Sequence, residues 1–561
     1  MLKKGIKTGM RAHLPFIIFC ILLSVYLGTK AFSERGWSGW TEFSAQTLLS
    51  TEHWAKEGFI KNKFLFIPTG YSKVTQYLDE PEMRHHARGI VSGGLIGKRL
   101  YYTHYPGGYL IPHALLMKSG VEARPWFRLI SLSFSLAGLV FMYLFVSSIS
   151  TPAVAFVSSL YYGASVMFLD FADSLANQPL DDLLKFVILF LSVLAMKRYG
   201  KKPLNRFHIL AWALYFILSI SSYDSTFFIF LWLIGLDLAI YFSGKREFSL
   251  RRWAFFASAP VLAFGLQMLQ NFWYLGWKDM LLDIAGTFVI RANSVPGNSF
   301  IEKHLDSLLE PSYSLMNIPV ELTLGVILIL LAGFIFFKKI TAYDWPNPAF
   351  IGVLLVAGSV FTLVFSFTGH FDYEGRQWAP AVSILTGAST VLLFMMIRGK
   401  IFKGLGGRAA LIAAFFIPAL AFTWYMQASR TVAYLRLWPN NVFEEQAVSY
   451  LKKLGSVSKS DDAVIFNIQP DFKKLNPQPN PSEEYYSGRL ILNFKNTADF
   501  IKDYGWIRRR SEYPFDSIIV TPEKNIMIEA ARSLSLSGEL RKIDDKYVLM
   551  VERSIDRASS R

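Results

Sequence analysis

The chain has 561 residues, of which 52% are hydrophobic and only 18% charged, and its formal net charge is +16. That is more apolar and less charged than soluble domains are, which excludes a string of ordinary globular domains and indicates a polytopic membrane protein with a modest soluble portion. The single cysteine, Cys20, excludes an intramolecular disulfide and any Cys-based metal site. Lys and Arg lie mainly in short connections between apolar segments, a pattern that fits membrane orientation rather than nucleic-acid binding.

The first apolar stretch, Leu14 to about Gly28, follows Lys3, Lys4, Lys7 and Arg11. A signal peptide shares this layout, but no small-x-small cleavage site follows, so a retained first helix is expected. A span needs about 20 apolar residues. Further spans are expected at Trp126–Ile149, Ala153–Leu169, Leu183–Met196, Phe207–Ser221, Thr226–Phe242, Trp253–Leu275, Leu315–Phe337, Phe350–Phe367, Ala379–Ile397 and Ala409–Met426. With the first they make about eleven. One set of connections carries Lys197, Arg198, Lys201, Lys202 and Arg206, then Lys245, Arg246, Arg251 and Arg252, then Lys338 and Lys339, then Arg398, Lys400, Lys403 and Arg408. The alternate set carries Asp170, Asp173, Asp181 and Asp182, then Asp224, then Asp372 and Glu374, with Arg376 as the exception. Basic connections stay in the cytoplasm. The N-terminus is therefore expected inside and the C-terminus outside, in a bacterial-type inner membrane.

Residues 1–429 read as the membrane domain, with a long first outer loop at about 33–124, and residues 430–561 as a soluble extracytoplasmic α/β domain. In that tail, Phe443–Leu454, Thr497–Arg508 and Glu523–Leu534 read as helices. Ala463–Ile468, Leu490–Phe494, Ser517–Val520 and Tyr547–Val551 read as strands, and Asn476–Ser482 as a Pro/Asn-rich loop.

Candidate functional residues gather in the outer loops. Glu42 stands near the start of the first loop, at the head of an amphipathic run; a carboxylate at the lipid boundary is costly and usually functional, while a solvated loop acid is the plain alternative. Asp170 and Asp173 lie in FLDFADSLANQPLDD, where either function or interfacial polarity accounts for them. The YYTHYPGGY run places Tyr102, His104 and Tyr105 before a Pro106-Gly107-Gly108 turn. These side chains can donate to a phosphate, or can belong to an aromatic belt. His370 and Arg376 belong to TGHFDYEGRQWAP. A guanidinium can hold a phosphate with two hydrogen bonds, or can pair with Asp372 or Glu374. The Arg84, His85, His86, Arg88 cluster lacks a chelating spacing and reads as a solvated basic patch. SGGLIGKR, from Ser92 to Arg99, departs from the phosphate-loop pattern at both of its ends. The glycines at Gly404–Gly407 sit in a basic turn on the cytoplasmic side.

At these motifs the chain resembles the GT-C class of integral-membrane glycosyltransferases, and within it the protein O-mannosyltransferase and lipid A aminoarabinose transferase branch, of glycosyltransferase family 39 type. The resemblance rests on W-T-E-F-x-A-Q-x-L running into W-A-K-E-G-F, on H-Y-P-G-G-Y, on L-D-F-A-D-S-L-A-N-Q-P-L, and on G-H-F-D-Y-E-G-R-Q-W-A-P. It spans roughly residues 10 to 430. Where the family usually has Asp, often followed by Glu, this chain has Thr41-Glu42, and Gly107 replaces the second Pro of the family's turn. The resemblance implies an α-helical polytopic fold of GT-C type with a C-terminal extracytoplasmic α/β domain. It implies an inverting transfer of a sugar from a polyprenyl-phosphate carrier to a hydroxyl of a glycan, lipid or protein outside the cytoplasm. Glu42 would then be the general base, Asp170 or Asp173 would orient acceptor or sugar, Arg376, His370, His104 and Tyr105 would hold the carrier phosphate, and Tyr102 would bind substrate. No metal or cofactor is expected, the lipid-linked sugar being the donor, and the partners are that donor, the acceptor and membrane lipid rather than nucleic acid. The alternatives from other classes are a lipid or sugar transporter, against which the chain shows no paired repeat halves, and a catalytically silent scaffold.

Overall fold

The computed structural model describes residues 2–33, 41–67, 101–198, 204–242, 249–292, 348–364, 374–397, 406–437, 442–460, 463–469, 478–479, 481–510 and 515–552. They fall into two compact units. The first comprises Met1–Ser33, Ala123–Gln267 and Val289–Asn440; the second comprises Glu34–Glu122, Met268–Phe288 and Asn441–Arg561.

The first unit is helical. Its helices include Leu2–Phe32, Arg124–Ile149, Pro152–Gly163, Gln178–Arg198, Arg206–Ser219, Tyr223–Phe242, Pro348–Val364, Ala379–Ile397 and Gly406–Leu437, together with the Leu250–Leu275 helix as far as Gln267. Pro125 and Pro152 stand in the first turn of their helices, where a missing N–H costs nothing. Among the described residues four stretches are long and apolar enough to cross a bilayer: Ala12–Phe32, Arg124–Ile149, Tyr223–Phe242 and Leu250–Leu275. Arg206–Ser219 and Ala379–Met395 are shorter apolar helices. The count of eleven expected from the sequence is not reached by this measure, and the Leu315–Phe337 span lies outside the described residues. Ile21, Leu22 and Val25 point outward from the first helix, as apolar side chains do when the solvent is lipid rather than water. A multi-pass membrane protein follows.

The expected Ala153–Leu169 span is broken. Its helix stops at Gly163, and Ser165 caps a new short helix, Val166–Phe171, by accepting a hydrogen bond from the Phe168 amide at 3.2 Å. The break delivers Asp170 and Asp173 to a compact turn rather than to a continuous helix.

Small residues let these helices approach closely, as membrane helix packing requires. A Cβ at Gly387 would overlap Ser158 Oγ and lie 2.7 Å from its backbone nitrogen; one at Gly358 would lie 2.8 Å from the Gln377 carbonyl oxygen. Replacing Gly387 with Val is therefore expected to cost about 1–3 kcal/mol through overpacking, read as a lowered thermal midpoint in detergent.

The second unit joins the Thr41–Glu57 helix, the Ile111–Lys118 helix and a six-stranded sheet. The strands are β1 Val464–Ile468, β2 Gln478–Pro479, β3 Leu490–Phe494, β4 Ser517–Thr521, β5 Glu539–Ile543 and β6 Lys546–Val551, in the order β2-β3-β1-β4-β6-β5. β1 runs parallel to both β3 and β4, and the three are buried throughout. That matches their near-continuous apolar sequence, since a parallel sheet is covered on both faces. Val464, Phe466 and Ile468 pack with Phe500, Tyr504 and Met527 of the following helices, while Ile465 packs with Leu451 and Leu454 of the Val442–Gly455 helix. β5, an exposed edge strand carrying Glu539, Arg541 and Lys542, was not expected from its charged sequence. Within the expected Asn476–Ser482 loop lie β2 and the start of the Pro481–Ser487 helix.

His113 is buried on the Ile111–Lys118 helix, and burial pushes its pKa from 6.5 down to about 4. The folded chain keeps it neutral where the unfolded chain takes up a proton, so stability is lost as the pH falls. The second unit should be insensitive to this group above about pH 7 and lose at most about 3 kcal/mol between pH 6.5 and 4. His113→Gln should flatten that slope in chemical unfolding measured across the range.

Candidate active site

In the first unit, Asp173 is fully buried between two cations. Lys30 Nζ lies 3.0 Å from Oδ1, and Arg128 donates to Oδ2 from Nε at 2.8 Å and also from Nη2. Lys30 ends the first helix; Arg128 sits just over one turn into the next. Lys30 also donates to the carbonyls of Leu169 and Asp170, at 2.6 and 3.2 Å, and Arg128 Nη1 donates to the Ser33 carbonyl at 3.1 Å. The half-buried Asp170 side chain accepts a hydrogen bond from the Tyr434 hydroxyl at 3.0 Å. The structure thus brings Asp170 and Asp173 together around one lysine. Asp173 serves this ion set, whereas Asp170 retains partial access.

Arg376 lies elsewhere in the same unit, on the short 3-10 turn Glu374–Gln377 before the Ala379–Ile397 helix. It is buried, and its Nη2 donates to Asp181 Oδ2 at 2.7 Å. Asp181 opens the Gln178–Arg198 helix together with Asp182, and also accepts from Asn177 Nδ2 at 2.8 Å. Asp182 pairs with Lys185 at 2.7 Å and accepts the Tyr162 hydroxyl, while Gln377 donates to Ser225 at 3.2 Å. Gln178 is buried with both amide atoms unbonded, and it lines a small cleft with Asp182 and Arg376. His370 lies outside the described residues.

The second unit holds the YYTHYPGGY motif. Tyr102 pairs with Phe66 in an isolated antiparallel bridge and meets the His104 ring edge-on at 5.2 Å. His104 Nε2 lies 2.7 Å from Asp283 Oδ1, and Thr103 Oγ1 donates to Oδ2 of the same carboxylate at 2.6 Å. Asn271 Nδ2 donates to the Thr103 carbonyl at 3.1 Å. Tyr105 follows, half-buried. Gly107 is required where it stands, because a Cβ there would meet the Phe64 carbonyl at 3.0 Å and the Trp54 ring at 3.3 Å. Glu42 is the second residue of the Thr41–Glu57 helix. Among the described residues, no group of three or more His, Cys, Asp or Glu is placed to hold a metal ion.

Several partners were not singled out by sequence. Lys30 and Arg128 are cations inside apolar segments, itself a signal of a buried partner or a functional site. Asp283 had no such mark, since its Trp277–Ala292 helix mixes charged and apolar residues.

This arrangement of helices, with a compact mixed sheet in the second unit, is the fold of the GT-C class of membrane glycosyltransferases. ArnT from Cupriavidus metallidurans in the apo state superposes with a TM-score of 0.51 at 12% identity, over 96% of this chain and 98% of that one. The archaeal oligosaccharyltransferase AglB from Archaeoglobus fulgidus, in complex with an inhibitory peptide and a dolichol-phosphate, gives 0.51 at 12% over 91% of this chain and 69% of that one. The Archaeoglobus fulgidus oligosaccharyltransferase tethered to an acceptor peptide gives 0.50 at 11%, over 97% and 74%. No protein-family model and no curated protein sequence matches the chain.

Removing the shared acid takes from two buried cations the charge that they share. Asp173→Asn should therefore cost about 3–5 kcal/mol. Adding Lys30→Met should recover part of that loss, read as a coupling energy in a double-mutant cycle of thermal midpoints.

Proposed function

We propose that this protein is an inverting glycosyltransferase that moves a sugar from a polyprenyl-phosphate carrier to an acceptor hydroxyl on the extracytoplasmic side of the membrane. The observation that carries this reading is the likeness to ArnT, an aminoarabinose transferase, over nearly the full length of both chains. The dolichol-phosphate and peptide in the AglB complex supply an analogy for donor and acceptor. The alternation of basic and acidic connections supports an N-terminus in the cytoplasm and outer acidic loops.

In this proposal Glu42 takes the proton from the acceptor hydroxyl as general base. The acceptor oxygen bonds to the anomeric carbon from the face opposite the carrier, and the carbon–oxygen bond to phosphate breaks with its electron pair leaving on the phosphate. A phosphate leaving group needs positive charge and donors rather than a proton, so one carboxylate suffices where glycosidases need two. Arg376 supplies charge there, with His104, Tyr105 and His370 as donors, and Tyr102 contacts substrate. Asp170 orients a sugar or acceptor hydroxyl, and Asp173 acts through the turn that carries Asp170. The lipid-linked sugar is itself the donor, so no further cofactor enters the reaction as proposed.

Glu42→Gln should lower transfer from a labelled polyprenyl-phosphate sugar in membranes by roughly 100-fold or more, at unchanged protein level. Full activity in that variant would remove Glu42 as base, and vesicle uptake without transfer would overturn the enzyme reading.

A further inference from the structure

Gln178 stands at the start of the Gln178–Arg198 helix and is only 3% exposed, yet neither its amide nitrogen nor its amide oxygen has a hydrogen-bond partner. Buried polar groups are as a rule satisfied, because one left without partners is unfavourable. An apolar side chain of the same shape would occupy this place without that cost, so the amide calls for a use.

The amide lines a small cleft within the first unit, together with Ser135, Asp182, Arg376, Phe168 and Phe171. Each other polar group named in this wall is engaged. Ser135 donates to the Ala172 carbonyl at 2.9 Å, Asp182 meets Lys185 and the Tyr162 hydroxyl, and Arg376 donates to Asp181. Phe168 and Phe171 add apolar surface. The free volume is about 10 Å³, room for one water-sized group. The amide has a donor and an acceptor to satisfy, and a hydroxyl both donates and accepts. A phosphate oxygen would answer only the nitrogen, and an ammonium only the oxygen.

We propose that Gln178 binds the 2-hydroxyl of the donor sugar and so governs which sugar is transferred. This rests on the proposed function, in which Arg376 meets the carrier phosphate. Gln178 and Arg376 line one cleft, and on a sugar 1-phosphate the 2-hydroxyl sits on the carbon next to the one that bears the phosphate. A cleft of this size takes the hydroxyl and leaves the ring outside. As the bond to phosphate breaks, positive charge grows on the anomeric carbon, and hydrogen bonds to the 2-hydroxyl strengthen, as they do in glycoside hydrolysis. An interaction that strengthens in the transition state raises kcat.

The test uses the full-length protein in membranes, offered a panel of labelled polyprenyl-phosphate hexoses and pentoses, amino sugars included. Whichever is transferred is then compared with its 2-deoxy analogue. The wild type should prefer the parent in kcat/KM by roughly tenfold or more. Gln178→Met, of nearly the same shape, should lower kcat on the parent by about tenfold and leave the 2-deoxy donor unchanged, so that the preference is lost. A general folding defect would lower both donors alike. The thermal midpoint of Gln178→Met in detergent should equal or exceed that of the wild type, since the amide has no partner to lose. Equal use of parent and 2-deoxy donor by the wild type, a preferred donor that lacks a 2-hydroxyl, or a preference kept in Gln178→Met would overturn this inference alone. So would a lowered midpoint or a failure to fold in Gln178→Met, the mark of an amide that holds the fold or a trapped water. Transfer from no donor in the panel would overturn the enzyme reading, and this inference with it.

Discussion

One acid between two cations sets the geometry of the first unit. Asp173, Lys30 and Arg128 are all buried, and none could be left there alone, because desolvating a single charge costs several kcal/mol. Together they satisfy one another, and the surplus donors go to backbone carbonyls. The end of the first helix is thereby fixed to the start of the Arg124–Ile149 helix and to the turn after Phe171. Lys30 reaches the Asp170 carbonyl from the same position, so the placement of Asp170 follows from the ion set. An acid held by its backbone keeps its side chain for other partners, of which Tyr434 is one.

The same logic recurs around Arg376. Its guanidinium meets Asp181 at the N-terminal end of a helix, where the backbone dipole also favours negative charge. Gln377 and Ser225 tie the turn to the Tyr223–Phe242 helix, and Asp182 and Lys185 form a neighbouring pair. Polar groups are costly at the level of an apolar bundle, so they come in satisfied networks. The buried amide of Gln178 stands out against that background. In the second unit Asp283 does for the His104 motif what Asp173 does for Asp170: one carboxylate accepts from two successive residues and fixes the direction of the run.

The amino-acid sequence by itself determined most elements. Long apolar runs have one stable form in a bilayer, so seven of the expected spans coincide with observed helices to within about five residues, Ala153–Leu169 with two, and Leu14–Gly28 and Ala409–Met426 lie inside longer helices. The buried strands β1, β3 and β4 were legible for a related reason: a short apolar, β-branched run between polar turns has few other homes. β5 was not legible, because an edge strand is charged on purpose and looks like a loop. The Gly163–Ser165 break was not legible either, since a lone glycine within an apolar run reads equally well as helix.

Pairings of charge were decided only by tertiary structure. Arg376 could be picked out as a cation on an acidic side, and local sequence offered Asp372, which lies outside the described residues, and Glu374 as partners; a partner that only the fold presents is Asp181, 195 residues away. Asp283 lies 179 residues beyond His104 and stood in no motif. Hydrophobicity is a property of a window and can be read along the chain, whereas an ion pair is a property of two points in space. Which residues are apolar, and hence which segments enter the membrane, was written locally. Which buried charge neutralises which had to wait until the helices were packed.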